Sequence, residues 1–339
     1  MKAARHLLLL AVLLLCLLLS ACGSTSAGGS GAKKICFAYQ DLETEFWVAG
    51  HTAIVKALKD KGIQVIERNA HQDPNVQLQQ VRDCISQHVD GIIIIPQDGA
   101  SAITIIGEAN RANIPIGVFN RPPAPGNPNP ALVVVADNEA ISEATVEFMA
   151  QQAMKLHRKV HPLIMVGDLG DPNAVARKKG FDTVIARYPN LFYKPVEVAT
   201  KWDAPTALAG LQDAMQANPD VDFLFTSSDF LYPQIESVLK PLGKWKPIGD
   251  PNHVIMGGID GDSRACGLMR SQYVDATGVQ DLFYEANTLL AALLKAIDNH
   301  ESKPNQVLID KGFALTQANM STRARDMWGC VLPPPQSGV

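Results

Sequence analysis

Six cysteines in 339 residues are too few and too scattered for a metal cluster. No Cys-x-x-Cys occurs and no Cys/His group has zinc-like spacing, so no structural metal and no cofactor is expected. The eight histidines build no catalytic dyad with a serine or cysteine, and Gly-x-Ser-x-Gly is absent. Neither a phosphate loop nor a dinucleotide glycine fingerprint follows the first strand, where Gln40-Asp41-Leu42-Glu43-Thr44 stands instead. A net charge of −4 without any basic cluster argues against nucleic acid. After Cys22 no apolar run approaches the length of a membrane span. Apolar residues at 47% and charged residues at 19% supply ample core material for a chain long enough to hold two domains.

The N-terminus has a different character. Lys2 and Arg5 precede an apolar run from Leu7 to Leu19, followed by Ser20-Ala21-Cys22-Gly23. A charged head, an apolar middle and a small-residue end make a secretory signal. A cysteine directly after Leu19-Ser20-Ala21 resembles the lipobox of bacterial lipoproteins. That resemblance implies acylation of Cys22, loss of residues 1–21 and attachment to a membrane outside the cytoplasm. The alternative is an ordinary secretory signal with a chance cysteine near cleavage. Residues 22–32, rich in Gly and Ser, read as a flexible tether.

From residue 33 the chain alternates strand and helix. Strands are expected at 35–39, 64–67, 91–95, 116–119, 132–135, 163–166, 195–198, 222–225, 254–257, 274–278 and 306–310. Helices are expected at 46–61, 75–88, 101–112, 138–157, 173–187, 204–217, 230–242, 262–271 and 282–298, before an irregular tail. This rhythm predicts an α/β protein of two doubly wound parallel-sheet lobes joined by a multi-strand hinge. The expected division is 33–136 with 281–309 for one lobe and 137–280 with 310–330 for the other. Five prolines between Arg121 and Pro130 read as a stiff, exposed loop. Of the cysteines past the anchor, Cys266 and Cys330 flank late elements and are expected to pair. Cys36 and Cys84 read as small core residues on a strand and a helix face.

Ligands of open parallel sheets sit beyond the carboxyl ends of the strands, so the residues after each strand carry the information. Those positions hold Thr44, Phe46, Trp47, Asn120, Arg121, Asp171, Asn173, Arg177, Trp202, Ser228, Asp260 and Gln280. Amides, carboxylates and guanidinium groups engage adjacent hydroxyls with fixed geometry, and aromatic rings suit the apolar faces of sugars. Arg121 and Arg177 need counter-charges, for which Asp171, Asp203, Asp229 and Asp260 are candidates. Bland readings stand beside these: Phe46 and Trp47 as core at a helix start, Arg177 on a basic surface with Lys178 and Lys179, Asp137-Asn138 as a helix cap. Asp203 and Asp229 would also serve a glycosidase, though nothing in the sequence selects that pair.

Residues 33–310 resemble the periplasmic sugar-binding proteins of the ribose/galactose type. The resemblance rests on Asp171-Pro172-Asn173-Ala174-Val175-Ala176-Arg177 and Lys201-Trp202-Asp203. It rests also on Phe119-Asn120-Arg121, Val135-Ala136-Asp137-Asn138 and Gly258-Ile259-Asp260-Gly261. It implies that Phe46 and Trp202 sandwich a sugar ring, with Trp47 assisting. Thr44, Asn120, Asn173, Arg177, Ser228, Asp260 and Gln280 would then hydrogen-bond it, with Arg121 and Asp171 also in the pocket. Thr44, Asn173 and Ser228 depart from the galactose-type pattern, and Gln280 follows the ribose type. The calcium loop of the galactose type has no counterpart at His157-Arg158-Lys159-Val160-His161. The implied protein is a non-enzymatic, monomeric lipoprotein that captures a monosaccharide and delivers it to an ABC-type membrane permease. A sensor that passes the sugar signal to a membrane receptor needs the same pocket.

Overall fold

Ile92 to Ile95 have no exposed surface, a degree of burial that suits a parallel strand with helices on both faces. The structure is a computed structural model and describes residues 32–332. The signal, Cys22 and residues 23–31 of the tether lie outside the described residues.

The first series runs β1 (Lys34–Tyr39), α1 (Glu45–Asp60), β2 (Gln64–Asn69), α2 (Pro74–Ser86), β3 (Gly91–Ile95), α3 (Gly99–Arg111), β4 (Ile116–Phe119) and β5 (Leu132–Ala136). The second runs α4 (Asn138–Met154), β6 (Pro162–Val166), α5 (Pro172–Arg187), β7 (Val196–Ala199), α6 (Ala204–Ala217), β8 (Phe223–Thr226), α7 (Tyr232–Leu239), β9 (Ile255–Asp260), α8 (Ser263–Arg270) and β10 (Ala276–Val279). The chain then forms α9 (Leu282–Asp298), β11 (Gln306–Asp310), β12 (Phe313–Thr316), α10 (Met320–Arg323) and α11 (Trp328–Val331). Two six-stranded sheets result, ordered β11-β5-β4-β3-β1-β2 and β12-β10-β9-β8-β6-β7. All strands are parallel to their neighbours except β12, which runs antiparallel to β10.

Aspartates set where the helices begin. Asp73, Asp98, Asp171, Asp203 and Asp262 each accept a hydrogen bond from a main-chain N–H in the first turn. Such caps satisfy donors that the helix itself leaves open, at about 1 kcal/mol each. Proline in the first turn of α2, α5 and α6 removes a donor that would be unused there.

The chain crosses between the sheets after β5, after β10 and after β11. Asp310 ties the crossings together: its carbonyl accepts the N–H of Asp137 at 2.8 Å. Its carboxylate accepts the N–H of Asp281 at 2.7 Å and of Gly312 at 2.9 Å. Helix α9, which follows the second crossing, packs on α1, β4 and β5 of the first sheet.

Four expectations are corrected. The tail is not irregular, because after Gly312, at φ +50°, the chain turns back as β12 and closes the edge of the second sheet. The helix expected at 230–242 is a 3₁₀ turn at Asp229–Leu231 followed by α7, which ends before Pro241. The proline-rich segment after Arg121 is largely half-buried, since it packs back on α3, with the Ala124 N–H bonded to the Gly99 carbonyl at 2.8 Å. Cys36 and Cys84 are core residues but are also joined as a disulfide, alongside the expected Cys266–Cys330. Closing loops of 48 and 64 residues stabilises the fold by about 4 kcal/mol each in the chain-entropy account.

Candidate functional site

A cleft of about 530 Å³ lies between the carboxyl ends of the two sheets. Thr44, Phe46, Trp47, Asn120, Arg121, Asp171, Asn173, Arg177, Trp202, Ser228, Asp260 and Gln280 all line it. Parallel strands with right-handed crossovers put every strand–helix turn on the same edge, which is why residues far apart in sequence converge there.

Two ion pairs organise the polar lining. Arg121, 4% exposed, places Nε at 2.8 Å from Oδ2 of Asp171, 3% exposed, joining the two lobes across the cleft. Its Nη1 also donates to the carbonyls of Pro96 at 3.0 Å and Gln97 at 2.6 Å, and to the side chain of Gln40. Arg177, 4% exposed and not on the surface, holds Nη1 at 3.0 Å from Oδ1 of Asp260. Its Nε donates to Asn138 at 2.7 Å, so Asn138 supports the site while Asp137 caps α4. Of the four carboxylates weighed as counter-charges, Asp171 and Asp260 take that part. Asp203 instead caps α6 through Thr206, whose hydrogen bonds hold its pKa below the usual value. Asp229 lies buried behind Ser228, accepting from the Gly261 N–H and the Thr277 hydroxyl, and burial and Asp260 push its pKa to about 7.

Amides bridge the lobes beneath the ion pairs. Asn173 Nδ2 donates to the Asn120 carbonyl at 3.0 Å, and Asn120 Nδ2 donates to Gln280 Oε1 at 2.9 Å. Gln280 Nε2 donates in turn to Asp260 Oδ1 at 2.8 Å, and Ser228 Oγ bonds the other carboxylate oxygen. At the rim, the Gly99 N–H donates to the Gly170 carbonyl at 3.3 Å. The Glu45 carboxylate receives the Ser263 hydroxyl at 2.8 Å.

The aromatic residues occupy two walls. Phe46 and Trp47 belong to the hydrophobic core and line the cleft as well, with ring centroids 5.0 Å apart and planes at 83°. The Arg121 guanidinium stands 5.2 Å from the Trp47 centroid, and that of Arg177 stands 5.8 Å from the Trp202 centroid. Trp202 Nε1 donates to Asp171 Oδ2 at 3.2 Å. Its ring lies against the end of β6, where a Cβ at Gly167 would fall 2.1 Å from the indole, so only glycine leaves room. Six lining residues have positive φ: His71 at +48°, Gln72 at +64°, Asn120 at +61°, Lys201 at +54°, Trp202 at +59° and Asp260 at +135°. Each such conformation costs about 1–3 kcal/mol and persists only where surrounding bonds over-determine it.

Three participants were not read from the sequence. Gln40 was noted only as the place where a glycine fingerprint is missing, yet it holds Arg121. Phe230 lines the cleft from the 3₁₀ turn. Glu285, on α9, is completely buried, and its two carboxylate oxygens accept from Asn120 Nδ2 at 3.0 and 3.2 Å. Burial and the neighbouring Asp310 raise its pKa to about 8. Four residues after Asp281, it reads as an ordinary polar position on a helix.

A family model described as "Periplasmic binding protein domain" matches residues 35–301. The chain belongs to that family. Its members bind solutes without enzymatic activity. This periplasmic binding protein is 25% identical over 293 residues to the xylitol-binding protein of Mycolicibacterium smegmatis, covering 86% of this chain and 80% of that one. It is 26% identical over 259 residues to the ribose import binding protein of Bacillus subtilis, covering 74% and 78%. Among solved structures, an ABC transporter solute-binding protein of Bacillus halodurans with bound myo-inositol superposes with a TM-score of 0.77 at 23% identity. That match covers 88% of this chain and 99% of the other, and establishes the fold.

Proposed function

We propose that this periplasmic binding protein captures one monosaccharide or closely related polyol between its lobes and delivers it to an ABC-type permease. The observation that carries this reading is that both pocket arginines are paired with carboxylates in a cleft lined also by amides, hydroxyls, aromatic rings and the further carboxylates Asp41, Glu43, Asp98, Asp168 and Asp203, with Lys201. With both arginines neutralised by ion pairs and carboxylates in excess around them, the lining favours an uncharged ligand rich in hydroxyls over a carboxylate or a phosphate. Thr44, Asn120, Asn173, Arg177, Ser228, Asp260 and Gln280 would meet hydroxyls. Phe46, Trp47 and Trp202 would meet the ring's apolar faces. Arg121 and Asp171 join the lobes over it. The xylitol-binding and ribose import binding relatives support the ligand class. The two disulfides and the export signal support work outside the cytoplasm, tethered through acylated Cys22.

A thermal-shift screen over pentoses, hexoses, pentitols and inositols tests the proposal. A ligand at about a hundred times its dissociation constant adds about 2.7 kcal/mol to stability, which raises the melting temperature visibly. Trp202→Ala should then weaken the selected sugar about tenfold, from lost stacking and the lost bond to Asp171. No shift with any polyhydroxylated ligand, together with a shift for an anionic one, would overturn the reading.

A further inference from the structure

Trp328 does not line the cleft, yet it touches two residues that do. Its indole N–H donates to the main-chain carbonyl of Asp260 at 2.9 Å, and its side chain is buried. Its ring meets the Phe46 ring with centroids 5.9 Å apart and planes at 70°. Asp260 is the residue whose φ of +135° departs furthest from ordinary backbone among the cleft residues. Its carboxylate collects Arg177, Ser228 and Gln280. A side chain bonding three groups from a strained backbone holds its aim only if its main chain is held as well.

The helix that carries Trp328 cannot hold itself. α11 has four residues, far below the length at which a helix is stable alone. Three attachments fix it: the Cys330–Cys266 disulfide to α8, the Gly329 N–H bonded to the Gly261 carbonyl at 3.0 Å, and close backbone packing. A Cβ at Gly329 would lie 2.1 Å from the Asp262 carbonyl carbon, so the helix lies flat on the turn that directly follows Asp260.

We propose that Trp328 is a positioning residue for the binding site, fixed by the Cys266–Cys330 disulfide, which sets ligand affinity by holding the Asp260 main chain and the edge of Phe46. The inference rests on the sugar-binding reading for its affinity readout, and on Asp260 alone for a second one. Removing one neutral hydrogen bond should weaken binding about five- to tenfold.

The test compares Trp328→Phe, which keeps a ring and loses the N–H, with Cys266→Ala/Cys330→Ala and with Cys36→Ala/Cys84→Ala. Each protein is titrated calorimetrically with D-ribose, D-xylose, xylitol and myo-inositol. The carboxyl of Asp260 is followed by carbon-13 NMR against pH in the sugar-free proteins. The first two variants should raise the dissociation constant about five- to tenfold and move the Asp260 titration. Opening Cys36–Cys84 should lower the melting temperature and move neither. Equal affinity losses for the two disulfide variants, or an unchanged affinity in Trp328→Phe, would overturn the proposal. If the unaltered protein binds none of the four probes, its ligand lies outside this set, and the broader thermal-shift screen decides the sugar reading. The Asp260 titration then decides the positioning role: a shift in Trp328→Phe supports it and an unmoved titration overturns it.

Discussion

Replacing Glu285 by Gln should stabilise the protein at alkaline pH and leave it unchanged in acid. Burial lifts the folded-state pKa of Glu285 from 4.5 to about 8. A carboxyl raised in this way helps folding fully below its unfolded pKa, and the help is lost as pH rises through the folded one. At about 1.4 kcal/mol per pH unit, the span from 4.5 to about 8 sets a ceiling of about 5 kcal/mol. Gln keeps the size of the side chain and an oxygen for Asn120 Nδ2, so the neutral contacts survive. Urea unfolding of both proteins from about pH 5 to about pH 9 isolates the effect, because other titrating groups cancel in the difference. The difference should grow with pH and level off above about pH 8. Parallel curves, or a variant less stable at high pH, would refute the claim that Glu285 is carried neutral beneath the site.

Two further outcomes follow from charge pairs. Arg121→Met should destabilise the joined lobes by about 3–5 kcal/mol by leaving Asp171 buried and unpaired, and adding Asp171→Asn should recover most of that loss in thermal unfolding. His253 donates from Nε2 to Asp275 Oδ2 at 2.9 Å and from Nδ1 to the Lys246 carbonyl at 2.7 Å, since both partners are acceptors and the protonated ring alone satisfies both. Although burial opposes it, the bonds from Asp275 raise its pKa above 6.5. The stability it supplies is complete below about pH 6.5 and is lost as pH rises through the folded value, so His253→Gln should flatten that part of the pH–stability curve.

The strand-end residues were legible because a parallel sheet sends all its turns to one edge, so sequence position after a strand translates into a place in the cleft. Charge partners were legible only as a set, since Asp171 and Asp203 follow similar strand ends and both cap helices, and only Asp171 also reaches an arginine. Glu285 and Gln40 were not legible, because their roles come from the side chains they meet, Asn120 and Arg121, and strand–helix rhythm carries no side-chain pairing even where the lobe is anticipated. The Cys36–Cys84 bridge depends on how α2 lies against β1, a packing detail with no periodic trace. Likewise β12 is short and follows a glycine turn, so its four residues carried too little alternation to mark a strand.

Asp310 has a consequence beyond local hydrogen bonding. Three chain segments pass between the lobes, and one residue fastens main-chain groups next to each of them. On the proposed reading of a cleft that opens and closes, a joint fastened at every crossing would confine the lobes to few relative motions. A ligand that stops such a motion gives up far less disorder than one that must gather two bodies on a loose string. Part of the affinity would then be set in the joint, before any hydroxyl is met.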